Sequence, residues 1–559
     1  MKAIIKYFFG GVMAIGLLLT SCQNFDSLNE NPNDPTPDKI DPIYLLSPVF
    51  IRSTLNVDMY QRIHNLYVDT YAQYFANDKY TSNNCVPNND WSQSYWDAHW
   101  AWVADLNEII RNYQNNSKYT NLVQIARIWR VWVFNRATDL FGDIPYSKAC
   151  DDSGDAASYD TQKDIYYDML NELAEASATL NVSGDKVGSG DLIFGGDITK
   201  WKLFANSLRL RLAMRMTEVD PNKAKVEAEA AVKADGGLIS SIDQDVKIKR
   251  KNNYYQVDYG FYNGVSHLFN GGRMTMSYSM QKLLTNLGGI AFPKKTTYKD
   301  VPDYCDPRGP IYFNVTSEYN GAAEAYRGRW KGVPAGYTKA VALEPNNAVK
   351  NNSRVGVYFV GSTKETDVPF EVNFDRDQTL MYYAEICFLR AEGALRGWNM
   401  GDGGSKVDAE VFYNAGIRAS MKEVEISDDV INQYITSTMP NLYGTTVPFN
   451  DNVTGVHNSQ LAKIMTQKYL ANFPDNGWEA WADYRRLGLP TLDPFAMPES
   501  GYVIEKGATD WKGSLRRLIY PAQEQIVNAV NYNAAVSRLS GGDKTISRMW
   551  WDARTSIQE

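Results

Sequence analysis

Between residues 121 and 140, apolar side chains recur at helical spacing and nearly encircle the segment. Leu122, Ile125, Trp129, Trp132, Val133 and Leu140 repeat with the helical period, and Val131, Phe134 and Ala137 widen the apolar surface. Asn121, Gln124, Arg127, Asn135 and Thr138 leave only a narrow polar stripe. A helix this apolar belongs inside a helical assembly. The pattern predicts a helix over 121–140, opened by an Asn121/Gln124 capping box and stopped by Gly142 and Pro145. On pattern alone, residues 139–147 read as a helix C-cap and turn.

The same periodicity predicts helices over 43–55, 58–76, 100–113, 165–180, 199–218 and 224–234. It resumes over 380–396, 407–424, 460–472, 478–487 and 521–539. Helical pairs at irregular intervals predict an all-α fold, a tetratricopeptide-like repeat scaffold that departs from the strict repeat of about 34 residues. Two stretches break the pattern. Residues 77–97 are Asn-rich with scattered aromatics and read as a loop. Residues 241–375 are rich in Gly, Tyr, Asn and Pro, with short strand-like runs such as 355–360. So long an irregular region in a compact protein is usually functional. The scaffold therefore divides into helical repeats over 42–240, a loop-rich ligand-binding insertion over 241–375, repeats over 376–490, and a C-terminal segment over 491–559 packing on the scaffold.

The N-terminus is an address. Residues 1–21 carry Lys2 and Lys6 ahead of an apolar run over 7–19, a secretory signal too short to span a bilayer. It ends in Leu19-Thr20-Ser21-Cys22, which resembles a bacterial lipoprotein box and predicts acylation of Cys22. Such a protein is anchored to the membrane and does not span it. Pro32, Pro35 and Pro37 make 22–41 an extended tether.

A formal net charge of −8 disfavours nucleic acid and anionic membrane surfaces as partners. The four histidines form no metal pair, there is no nucleophile elbow or phosphate loop, and nothing calls for a metal or cofactor. Cys85, Cys150, Cys305 and Cys387 lie far apart, and either pairing or isolated thiols fit. Glu385 and Glu392 share a helix face but, with Arg390 and Arg396 nearby, read as structural ion pairs rather than a glycosidase couple. Asp483-Tyr484-Arg485-Arg486 reads the same way.

Aromatics are abundant, with 14 Trp, 36 Tyr and 21 Phe, and many stand among polar residues. A sugar ring has an apolar C–H face and a rim of hydroxyls. Aromatic faces bury the first, while amides, carboxylates and guanidinium groups bond the second. Tyr80, Trp91, Trp96, Tyr262, Trp330 and Tyr337 are the candidate stacking residues, and Asp78, Asn84, Asn89 and Arg273 the candidate hydrogen-bonding ones.

Ordered motifs add a family resemblance. They are Leu28-Asn29-Glu30-Asn31-Pro32-Asn33, Asp139 to Ser147 (DLFGDIPYS), Ala384-Glu385 through Ala391-Glu392, Tyr413 to Ser420 (YNAGIRAS), Trp481 to Arg486 (WADYRR), Arg517 to Pro521 (RLIYP), Gly541-Gly542-Asp543 and Trp550-Trp551-Asp552. Together they resemble the SusD/RagB family of outer-membrane nutrient-binding lipoproteins, in its SusD-like branch. The resemblance implies four tetratricopeptide-like repeats, no catalysis, and a SusC-like TonB-dependent barrel transporter as partner. It implies oligosaccharide cargo, with peptide in some relatives. The expectation is a lipid-anchored, surface-exposed outer-membrane glycan-binding protein. A peptide-binding member and an exported glycosidase are the alternatives. The motifs are scaffold motifs, so the site residues rest on local composition.

Overall fold

The computed structural model describes residues 42–55, 59–77, 88–151, 156–250, 274–317, 321–336, 344–360, 376–495 and 515–556. Helix α1 (Ile43–Ser53), a π-helix (Tyr60–Asp69) and α2 (Asn89–Tyr113) lead into α3 (Thr120–Phe141), the helix predicted over 121–140. Along α3 only Thr120, Arg127 and Arg130 keep partial exposure. Trp129 and Trp132 stack at 4.6 Å, and the Trp129 indole donates to Ser53 Oγ on α1 at 2.9 Å. The helix is not capped as predicted. The Asn121 side chain turns away to donate to the carbonyls of Asn181 and Asp185. The Asp185 carboxylate instead accepts from the backbone N–H of Asn121 at 2.8 Å and of Leu122 at 3.3 Å. A carboxylate at the positive end of the helix dipole is favourable, and a cap delivered from a distant loop leaves no local sequence signal.

Helices α4 (Gln162–Thr179), α5 (Ile198–Arg215) and α6 (Pro221–Lys233) follow, each packed on its predecessor. The second half contains α8 (Tyr383–Leu395), α9 (Ala409–Glu423), α10 (Asp428–Thr436), α11 (Gln460–Ala471) and α12 (Gly477–Leu487). The halves meet where α5 packs on α8. That seam is ionic and buried. Arg211 grips Glu385 through two 2.7 Å bonds, and Arg215 donates to Glu479 at 2.6 Å. Arg486 holds Glu392 at 2.6 and 2.8 Å, and Asp483 accepts from Arg486 and Lys468 at 2.9 and 2.8 Å. Glu385 and Glu392 are therefore structural ion pairs, as the sequence suggested, and Arg396 does reach Glu392 at 2.9 Å. Arg390 does not reach Glu385; it pairs with Asp402 and lies over the Phe412 ring.

The described strands form four two-stranded antiparallel ribbons. Strand β4 (Val246–Ile248) pairs with β8 (Gln378–Met381), so the chain enters and leaves the inserted region on one ribbon. Strand β1 (Phe75–Asn77) pairs with β5 (Met274–Met276), tying the insertion to the N-terminal helices. Next come α7 (Tyr278–Leu284) and β6 (Thr285–Ala291), which pairs with β7 (Tyr304–Cys305). The run 355–360, read as strand-like, contributes one bridge from Val355 to Phe313 and then turns into a single helical turn, Val357–Val360. The remaining ribbon, β2 (Ile144–Pro145) with β3 (Tyr159–Asp160), follows the α3 C-terminus.

Residues 139–147 do more than cap a helix. The backbone N–H of Leu518 donates to the Leu140 carbonyl at 2.7 Å, and Arg517 Nη2 donates to the Phe141 carbonyl at 2.8 Å. Tyr520 reaches the Asp143 carbonyl at 2.7 Å, and the Trp551 indole reaches the Asp139 carboxylate at 2.9 Å. Gly142, at φ +87°, turns the chain through a conformation that side-chain-bearing residues rarely adopt. This stretch fastens the C-terminal segment to the hub. The predicted helix over 521–539 is split into Glu524–Val527 and α13 (Ala529–Ser537). Cys150, Cys305 and Cys387 are free thiols, and Cys85 lies outside the described residues. Among the described residues no helix is long and apolar enough to cross a membrane.

Candidate functional site

The ribbon of β1 and β5 sets the frame. Asn77 pairs with Met274, so the chain leaves β1 and enters β5 at the same end of the ribbon. Cys22, Asp78, Tyr80, Asn84, Tyr262, Arg273 and Tyr337 lie outside the described residues. Asn89, Trp91, Trp96 and Trp330 lie within them, and only the first two keep a surface.

The stretch 77–97 is not one loop. Asn88 caps a helix, its side-chain oxygen accepting from the backbone N–H of Asp90 at 2.9 Å, and α2 runs on from Asn89. Asn89 is exposed on the first turn. Trp91 is half-buried, with its ring 5.7 Å from that of Tyr67. Just over one turn further, Trp96 faces inward and is 3% exposed. Its indole donates to Glu524 at 3.2 Å, and its ring packs edge-on against Trp100 and Phe141 at 5.1 Å each. Trp96 is thus a core residue and not a stacking platform. The signal was the spacing of Tyr95, Trp96, Trp102, Val103 and Leu106, which fits one helix face once Asn88 is read as its cap.

Trp330 is corrected in the same way. It is 1% exposed, donates to the Phe313 carbonyl at 3.0 Å, and packs against Phe292 inside the insertion. A side chain with no free face cannot stack on a sugar.

The structure adds a cluster that composition did not reveal. Lys282 on α7 donates to both Asp493 oxygens, at 2.9 and 2.8 Å, and Tyr443 donates to the same carboxylate at 3.0 Å. The Lys282 ammonium lies 4.6 Å from the Tyr278 ring and 5.4 Å from that of Tyr443. The Ser279 hydroxyl donates to Gln73, which tethers this polar-aromatic cluster to the turn before β1. These residues come from four distant parts of the chain, so no local motif announces them.

Two cavities flank the ribbon of β4 and β8. One of about 410 Å³ is walled by Tyr312, Tyr358, Phe359 and Tyr382, with Asp245, Lys247 and Glu423 among its polar groups. The other, of about 670 Å³, shares Asp245, Lys247 and Asp377 with it and extends toward Phe194 and Arg250. Both volumes suit a small ligand. Burial, then the charge of Glu423, pushes the Asp245 carboxyl up to about 8 against the pull of Lys247. Among the described residues no group of three or more His, Cys, Asp or Glu is arranged to hold a metal ion.

Comparison with known proteins gives this architecture its relatives. Residues 43–552 match the family described as SusD-like, the Susd and RagB outer membrane lipoproteins. A SusD homolog from Parabacteroides distasonis is 31% identical and superposes with a TM-score of 0.81, covering 92% of this chain and 98% of that one. A chitin-binding SusD homolog from Flavobacterium johnsoniae is 28% identical with a TM-score of 0.71, covering 93% and 100%. A SusD homolog from Bacteroides uniformis is 27% identical with a TM-score of 0.72, covering 92% and 99%. No curated protein matches the sequence. With the family description spanning nearly all of the helical scaffold, the chain belongs to the SusD/RagB family of outer-membrane nutrient-binding lipoproteins.

Proposed function

We propose that this protein is a cell-surface lipoprotein, anchored through an acylated Cys22, that binds an oligosaccharide and passes it to a SusC-like TonB-dependent transporter without catalysis. The observation that carries the glycan reading is the near full-length likeness to a relative described as chitin-binding. The chemistry of the candidate residues supports it, because aromatic faces and amide or carboxylate rims suit sugar rings. Asn89 and Trp91 on the first turn of α2 form the described part of the proposed site. Asp78, Tyr80 and Asn84 precede them in sequence, and Tyr262, Arg273 and Tyr337 belong to the inserted region. Residues on loops held by a rigid scaffold are a common way to build such a site.

The test is calorimetry of the soluble protein against a glycan panel and a peptide panel, with co-purification of the lipidated protein from outer membranes. The reading expects glycan binding at about micromolar to millimolar Kd and a co-purifying barrel transporter. Binding of peptides alone would replace glycan with peptide as cargo. Membrane attachment that survives Cys22→Ala in cells lacking the transporter would overturn the anchor.

A further inference from the structure

The cavity of about 410 Å³ beside the β4–β8 ribbon brings aromatic side chains and a cluster of charges to one wall. Its one side-chain ammonium, Lys247, is shared by two carboxylates. Glu423 lies 2.8 Å from it and Asp245 lies 3.4 Å from it. Asp245 commits its other oxygen to the backbone N–H of Tyr383 at 2.7 Å. The guanidinium of Arg376, the other cation lining the cavity, is drawn off by Asp475 at 2.6 Å. With Asp245 ionised, the two carboxylates at Lys247 exceed the positive charge held against them by one, and the cavity favours the protonated form of Asp245. The walls are aromatic. Tyr358 is 42% exposed and is held in place by donating to the Glu423 backbone carbonyl at 2.8 Å, with Phe359 and Tyr382 buried beside it.

We propose that this cavity is a second ligand site, taking a primary ammonium group on a compact body with C–H faces, the ammonium held by the Glu423 carboxylate beside Lys247, whose bond engages one Glu423 oxygen. A cation entering there takes over from the Asp245 proton and lets both carboxylates ionise where solvent screening is weak. Aromatic rings attract the same cation through their faces and cover the C–H body that carries it. The upward push on Asp245 comes from burial and then from the neighbouring Glu423 charge, and a bound ammonium would oppose it. The aromatic enclosure distinguishes this site from a surface acidic patch. It is separate from Asn89 and Trp91 and does not rest on the glycan reading. The ammonium has two chemical sources, an amino sugar or an aliphatic amine.

The experiment is calorimetry with glucosamine, N-acetylglucosamine and 1,4-diaminobutane on the wild type, Glu423→Gln, Tyr358→Ala and Trp91→Ala, with melting temperature as the control for folding. The expected result is glucosamine or the diamine binding at least about tenfold more tightly than N-acetylglucosamine. Glu423→Gln and Tyr358→Ala each weaken that binding, and Trp91→Ala leaves it intact. Preference for glucosamine assigns the site to amino sugars; preference for the diamine assigns it to aliphatic amines. Equal affinity for the amine and its acetylated form, no amine binding at about 10 mM, or binding indifferent to both cavity substitutions would overturn the proposal. Because the ligand comparison uses the wild type, it stands even where a variant unfolds.

Discussion

The α5–α8 seam and the cavity at the β4–β8 ribbon handle charge in opposite ways. At the α5–α8 seam and between Arg486 on α12 and Glu392 on α8, acids and bases are buried in matched pairs. Burial alone would raise the Glu479 carboxyl, but Arg211, Arg215 and then Lys468 outweigh it and hold it at about 2. At the base of the insertion the count is uneven. Asp245 is raised to about 8 because burial and Glu423 outweigh Lys247. The lesson is that a closed ion pair serves packing, and a carboxylate cluster beside a cavity is where a ligand's charge can be used. Breaking a buried pair costs more than removing a partly exposed group, because the surviving partner stays buried and uncompensated.

The largest expected effect comes from the buried ion pair that joins α12 to α8. Arg486→Met leaves Glu392 and Asp483 facing each other without their shared guanidinium. The expected loss is about 3–5 kcal/mol of stability, read as a fall in denaturant midpoint. A midpoint unchanged from wild type would mean that the Arg486–Glu392 pair does not hold α12 to α8. A loss near the lower end of that range is expected for Trp96→Ala, about 3 kcal/mol, because a buried indole leaves a cavity. Its remaining folded fraction should bind glycan as wild type does, which separates Trp96 from the proposed site. A selective binding defect at unchanged melting temperature would return Trp96 to it.

The two regions should also respond to pH with opposite sign. A carboxyl depressed in the folded state stabilises it above the unfolded pKa, and that contribution is lost as pH falls. Glu479, ordinarily 4.5 and held at about 2, therefore withdraws stability between about pH 4.5 and 2. A carboxyl raised in the folded state favours folding while protonated, so its contribution is lost as pH rises. Asp245, facing Lys247 on its own ribbon and Glu423 on α9, should withdraw stability between about pH 3.8 and 8. Melting curves across pH should show Glu479→Gln flattening the acid limb and Asp245→Asn flattening the upper one. Identical profiles in all three proteins would remove the contrast.

What could be read from the sequence follows the range of the interaction. Helix α3 was legible because its apolar period is local, and its observed bounds lie within one residue of those predicted. Its cap was not, because Asp185 arrives from another loop. Glu385 and Glu392 were legible as structural ions, yet the partner of Glu385 is Arg211, 174 residues away. The start of α2 was hidden by polar residues around Asn88, which placed Trp96 wrongly in a loop. Trp330 was misread because an irregular region was taken to be an exposed one, whereas its buried side chains join the main hydrophobic core. Asp245, Lys247 and Glu423 meet across the β4–β8 ribbon and α9, so composition could not bring them together.

The smallest effect is the most informative about function. Trp91 and Trp96 lie on the same helix, just over one turn apart and on different sides of the boundary between core and surface. Trp91 is half-buried, and its ring is tilted 54° against Tyr67 rather than packed flat on it, so part of its surface faces outward. Water competes for each sugar hydroxyl, and a neutral hydrogen bond contributes only about 0.5–1.5 kcal/mol net. Stacking should then carry most of the selectivity at the proposed glycan site. Trp91→Ala is expected to weaken oligosaccharide binding about tenfold, roughly 1.4 kcal/mol, with little change in melting temperature. Asn89→Ala should weaken it less, as removal of one neutral bond requires. Affinity electrophoresis on the glycan that binds wild type reads both variants against Trp96→Ala. If Trp91→Ala retains full affinity while the protein still binds glycan, the first turn of α2 is scaffold and the sugar is held elsewhere.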